Sequence, residues 1–351
     1  MTHMIPRLSN FNKNPELKSL QILRALAAIS VVYFHIGIVT HRKSIPIFGS
    51  FGVDIFFTIS GFVMAMIVAN GQSAQSFAVS RLTRIVPLYW IFTTCILLLA
   101  TFKPELINTT TVNFTNYLKS LFFIALYPVL FVGWTLNYEM FFYFCIWISM
   151  ILIKRFYFQA VVILIVVFHF CLGNSTNNSA LSVFFSSNLL FEFILGMCLF
   201  KIYELTKNYK HFLLLAIIIA VASFIFMAYA ETVSLKIDRL LIFGIPSALL
   251  LFSILNLEYL FIQKNNSVIN LFTSIGYASY SIYLSHLFII QGLIKILFLK
   301  FNLLSPCSPI GILFLFVIAI LFGQLLYILV DKPINKYFKR KFVIVKLISP
   351  T

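Results

Sequence analysis

Arg24 and His35 lie eleven positions apart in one apolar stretch, residues 20–40. On a helix that spacing is about 16 Å along the axis and about 20° around it, so the two share a face. A guanidinium grips phosphate through bidentate hydrogen bonds, and an imidazole takes a proton from a hydroxyl. Ionisable side chains are costly inside a bilayer, so the pair asks for a functional explanation first.

Other residues add to this chemistry. Arg81 and Arg84 stand at i and i+3 in RLTRIVPLYW, residues 81–90, and can point the same way. They suit a phosphate, or else they enforce topology and bind lipid headgroups. Asp54 lies in FGVDIFFTISGF, residues 51–62, where Gly52, Ser60 and Gly61 fit close helix packing but the carboxylate does not follow from packing. In GWTLNYEMFFY, residues 133–143, Trp134 is an interfacial anchor or acceptor contact, and Glu139 is too deep for rim decoration. Tyr89, Ser285 and His286 are further candidates for acceptor contact; His286 is equally served by its Ser and Tyr neighbours. Glu192 is open between the two readings, and His169 reads as structural.

The elements that carry these residues are membrane helices. Of 351 residues 61% are hydrophobic and only 10% charged, more apolar surface than a soluble domain of this size can bury. An all-α polytopic transmembrane bundle is expected, with ten spans near 20–40, 49–70, 85–102, 134–153, 157–173, 182–200, 212–230, 239–257, 276–298 and 309–330. The division is then a cytoplasmic segment 1–19, a membrane domain 20–330 and a basic tail 331–351. Arg24 interrupts the first apolar run and no small-residue cleavage site follows, so this run reads as an uncleaved span. Residues 117–132 are apolar but short, contain Pro128, and read as re-entrant or surface-lying.

With both termini in the cytoplasm, the loop cations divide seventeen inside against six outside. The inner set is Arg7, Lys13, Lys18, Arg81, Arg84, Lys154, Arg155, Lys201, Lys207, Lys210, Lys264, Lys332, Lys336, Lys339, Arg340, Lys341 and Lys346. The outer set is Arg42, Lys43, Lys103, Lys119, Lys236 and Lys300. Orientation in a membrane thus explains the net charge of +16 better than nucleic-acid binding does. The cysteines, Cys95, Cys145, Cys171, Cys198 and Cys307, show neither disulfide nor metal-site spacing. The polar outer loops 108–116 and 173–179 are short, and no soluble domain is expected at either end.

These spans give the ionisable residues depths. His35, Asp54 and Glu139 each fall about five residues from the outer end of a span, hence near one level at ~1.5 Å per residue. A carboxylate there would fix the imidazole's tautomer and make it a general base. Alternatively, each polar group is an interhelical hydrogen-bond partner. Arg24 falls near the opposite surface, beside Arg81 and Arg84.

The chain resembles the acyltransferase-3 family of multi-pass membrane acyltransferases. The likeness rests on LQILR to VVYFH (20–35), the stretch 52–62, residues 81–90, WTLNYE (134–139) and SYSIYLSH (279–286), in that order. It implies that Arg24 and His35 match the family's arginine–histidine motif, Arg81 and Arg84 its paired arginines, and Glu139 its carboxylate. It further implies an acyl donor, commonly acetyl-CoA from the cytosol, and a sugar hydroxyl acceptor at or beyond the outer face of the cytoplasmic (inner) membrane. The family often ends its last span with Glu-x-Pro; here the residues are Asp331, Lys332 and Pro333.

The expected function is O-acetylation of a surface glycan, free or lipid-linked, such as lipopolysaccharide O-antigen or exopolysaccharide. Arg24, Arg81 and Arg84 would hold the CoA phosphates, and His35, oriented by Asp54 or Glu139, would activate the hydroxyl or take the acyl group itself. Acyl transfer to a lipid, antibiotic or peptidoglycan sugar stays open, as does a transporter or flippase. No metal is expected, and the sequence does not state the oligomeric state.

Overall fold

The computed structural model describes residues 17–40, 46–103, 112–173, 179–206, 213–263, 266–301, 305–338 and 340. Arg7, Lys13, Arg42, Lys43, Lys207, Lys210, Lys264, Lys339, Lys341 and Lys346, with residues 108–111 and 174–178 of the two polar loops, lie outside these residues. Fourteen helices are described: α1 (Lys18–Val39), α2 (Gly52–Ala69), α3 (Ala74–Phe102), α4 (Phe114–Leu121), α5 (Trp134–Leu152), α6 (Tyr157–Phe168), α7 (Ala180–Phe185), α8 (Leu189–Thr206), α9 (Leu213–Thr232), α10 (Ile245–Asn256), α11 (Glu258–Gln263), α12 (Ser267–Tyr277), α13 (Ser279–Leu293) and α14 (Pro309–Leu326).

Among the described residues nine helical stretches are long and apolar enough to cross a membrane, and they answer nine of the ten expected spans. The tenth, expected at 239–257, is a shorter apolar helix, Leu240–Asn256. Lipid is as apolar as leucine, so small residues that let helices approach can face inward while large ones face lipid. In α9 the exposed stripe is Leu214, Ile218, Val221 and Ile225, whereas Ala216, Ala220, Ser223 and Ala230 face inward.

The glycines of α2 act as expected. A Cβ on Gly61 would fall 2.0 Å from the Phe193 carbonyl oxygen, and one on Gly196 of α8 would fall 2.0 Å from that of Thr58. The α2–α8 crossing therefore admits no side chain at either point, which fixes how α2 is turned. At the start of α1, Glu258 accepts from the Lys18 and Ser19 backbone N–H groups at 2.9 and 2.7 Å. It satisfies two donors that a helix N-terminus leaves open.

Two expectations change. The third span, expected at 85–102, begins at Ala74, where Ser73 accepts from the Ser76 N–H as an N-cap. Arg81 and Arg84 therefore sit inside a 29-residue helix rather than in a loop before it. Residues 117–132 do not form a crossing helix. After α4 the chain turns at Phe123, with φ of 60°, and Ser120 Oγ accepts from the Val129 N–H at 2.9 Å.

Candidate active site

Five helices enclose one cavity. Arg24 enters from α1, Ser60 from α2, Arg81 and Arg84 from α3, Glu139 and Tyr143 from α5, and Tyr280 and Tyr283 from α13. The α5 residues on this wall, Thr135, Leu136, Glu139 and Tyr143, follow helical spacing and form one face. Glu139 accepts from the Tyr143 hydroxyl one turn on and from Ser60 Oγ at 3.3 Å. Tyr280 donates to the Ile85 carbonyl at 2.7 Å, tying α13 to α3 beside Arg84.

The three guanidiniums act on one another electrostatically, and Glu139 acts on Arg24 and Arg81. Among the described residues, however, the ion pair within 4.0 Å is Arg239 with Asp54; none of the three reaches a carboxylate at that range. Asp331 also acts on Arg84, but its oxygens accept from Ser281 and Asn335. The cavity holds three cations, one carboxylate and positive charge to spare, which suits a polyanion.

One turn beyond Tyr283 on α13 lies His286, which is fully buried. Its Nε2 is 3.2 Å from Nδ1 of the half-buried His35. His286 Nδ1 lies 2.7 Å from the Tyr283 carbonyl oxygen, and His35 Nδ1 lies 2.9 Å from that of Val31. Tyr283 thus lines the arginine cavity and receives the His286 hydrogen bond.

Several expected placements are corrected. Neither Asp54 nor Glu139 hydrogen-bonds to His35, whose partners are Val31 and His286. Asp54 is fully buried and clamped by Arg239, whose Nε and Nη2 donate at 2.9 and 2.7 Å. The reason is rotation: Ser60 meets Glu139, and Asp54, six residues earlier, is turned about 120° away from Ser60 around α2. Glu139 stands opposite the middle of α2 and belongs with the arginines. Trp134 lies outside the cavity wall, on another face of α5, edge-to-face with Tyr138 at 6.0 Å. Tyr89 is enclosed and stacks on Phe123 at 4.7 Å, and the buried Ser285 hydroxyl donates to Ser281 O at 2.8 Å within its own helix.

Arg239, Tyr143, Tyr280 and Tyr283 are not among the residues that the sequence singles out. Arg239 was hidden as the first residue of an expected span. Tyr143 had a signal, since it stands four residues after Glu139 on the same face.

Residues 17–328 match the family described as "Acyltransferase domain", nearly the whole length of the chain. The chain belongs to this acyltransferase family. A similar protein is the "Exopolysaccharide production protein ExoZ" of Rhizobium meliloti (strain 1021), 29% identical over 304 residues, covering 82% of this chain and 89% of ExoZ. No solved structure matches. The acyltransferase is thus a multi-pass membrane protein whose arginine cavity and histidine pair lie within the family match.

Proposed function

We propose that this acyltransferase moves an acetyl group from acetyl-CoA to a hydroxyl of a cell-surface polysaccharide, an exopolysaccharide or lipopolysaccharide O-antigen, at the inner membrane. The observation that carries the reading is the cavity of three guanidiniums with no ion-pair partner among the described residues, one helical turn from a histidine pair. The name of the similar ExoZ supports exopolysaccharide as acceptor, and the excess of loop cations on one side supports placing the Arg24 end at the cytosol.

Arg24, Arg81 and Arg84 would hold the phosphates of the donor, leaving its slender thioester arm to reach toward His35 along the face that both residues share. His35 takes the proton from the acceptor hydroxyl as that oxygen attacks the thioester carbonyl. The new C–O bond forms, the C–S bond breaks, and the imidazolium returns the proton to the departing thiolate. A second route places the acyl group on His35 first and on the hydroxyl next.

The test is His35→Ala, with surface polysaccharide acetylation measured by mass spectrometry in cells carrying equal amounts of the protein. Loss of the acetyl group is expected. Wild-type acetylation would remove His35 from the centre of the reaction.

A further inference from the structure

Four atoms fix the protons of the histidine pair. Carbonyl oxygens only accept, so His286 Nδ1, 2.7 Å from the Tyr283 oxygen and 3.2 Å from that of Ile282, must carry hydrogen. In the neutral ring its Nε2 is then a lone pair. That lone pair faces His35 Nδ1 at 3.2 Å, and the same Nδ1 faces the Val31 oxygen at 2.9 Å. Both neighbours accept, so His35 Nδ1 carries hydrogen too, and the remaining nitrogen, His35 Nε2, is basic. No hydrogen bond from the described residues occupies it.

From this geometry we infer that His286 is a positioning residue for the acyl transfer: with the Val31 carbonyl it holds the His35 ring by its Nδ1–H, with Nε2 free for the acceptor hydroxyl. The inference rests on the reading of His35 as the base. A carboxylate usually fills this place beside a catalytic imidazole, and here a neutral ring, anchored by the carbonyls of its own helix, supplies the acceptor instead. The burial of His286 agrees with this role, since it has no surface for substrate contact. When His35 takes the proton, its Nδ1–H bond to His286 Nε2 becomes charge-assisted and stronger, which favours the protonated state along the reaction path.

The experiment uses the full chain in membrane vesicles with the native polysaccharide and radiolabelled acetyl-CoA. His286→Gln keeps an acceptor oxygen near the Nε2 position and His286→Met does not. For His286→Met kcat is expected to fall about a hundredfold, at the low end of a general-base contribution, with KM for acetyl-CoA within about twofold. His286→Gln is expected to recover at least about tenfold of that loss. Nitrogen-15 NMR of histidine-labelled protein should show the His35 signal as the Nδ1–H form in the wild type, with its Nδ1 resonance shifted in His286→Met, where the Val31 carbonyl is left as the acceptor. Wild-type kcat in His286→Met, an equal loss in both variants, a change confined to KM, or an unaltered His35 Nδ1 resonance in His286→Met would overturn the inference. His35→Ala separates the two levels: if it stays active the base itself is wrong, and if it is dead while His286→Met is normal only the positioning role falls.

Discussion

Arg239 and the trio Arg24, Arg81 and Arg84 are the same kind of residue in the same bundle, held in opposite ways. Arg239 grips Asp54 with two hydrogen bonds, makes a third to Ser50 O at 3.4 Å, and lies 5.1 Å from the Phe243 ring centroid. The trio faces a shared cavity, and none of its members has a carboxylate within 4.0 Å among the described residues. The first arrangement is complete within the protein and fastens α2 to the segment leading into α10. In the second, positive charge faces open space in a low-dielectric surrounding, where an anion is attracted more strongly than in water. Partnering, rather than residue type or depth, distinguishes a strut from a binding group.

The contrast breaks most sharply at the trio. Arg81→Ala with Arg84→Ala removes two sets of charged hydrogen bonds, each contributing about 1.5–3 kcal/mol. Transfer at low acetyl-CoA should drop by at least about a hundredfold, with thermal stability in detergent unchanged. Asp54→Asn should do the reverse. It weakens the hold on Arg239, on which Glu192 and Glu231 also act, and costs about 1.5–3 kcal/mol of stability, read as a lower unfolding temperature, while KM for acetyl-CoA stays within about twofold. Asp54→Leu together with Arg239→Met should restore much of that stability, because an apolar pair can replace an ion pair whose carboxylate is fully buried.

Smaller effects sharpen the picture. Gly61→Ala pushes a methyl group into the Phe193 carbonyl and should destabilise by about 1–3 kcal/mol, while turning Ser60 away from Glu139. Tyr143→Phe removes one hydrogen bond to Glu139 and should lower transfer by up to about tenfold, from a contribution of about 0.5–1.5 kcal/mol.

How much was legible follows from what each signal measures. Apolar run length located nine long spans, and the eleven-residue spacing put Arg24 and His35 on one face without any tertiary knowledge. The two glycines announced a close crossing. Span boundaries, however, give height and not angle, and tilt is set by packing. Depth alone therefore sets Asp54 and Glu139 at one level with His35, whereas α2 turns Asp54 toward Arg239 and α5 sets Glu139 among the arginines. By sequence His286 is equally served by its Ser and Tyr neighbours, yet its ring meets a partner 251 positions away. The helical start of α3 was obscured by the polar residues of 71–84, which Ser73 caps into a continuous helix.

The central claim is that the trio exists for the donor's phosphates, and affinity across truncated donors tests it most directly. Binding of CoA, dephospho-CoA and pantetheine to the purified protein would be measured by calorimetry, in wild type and in the Arg81→Ala/Arg84→Ala variant. Wild type should weaken stepwise as phosphates are removed, and the variant should bind all three about equally poorly. Equal wild-type affinity for CoA and pantetheine, or unchanged CoA affinity in the variant, would contradict the account.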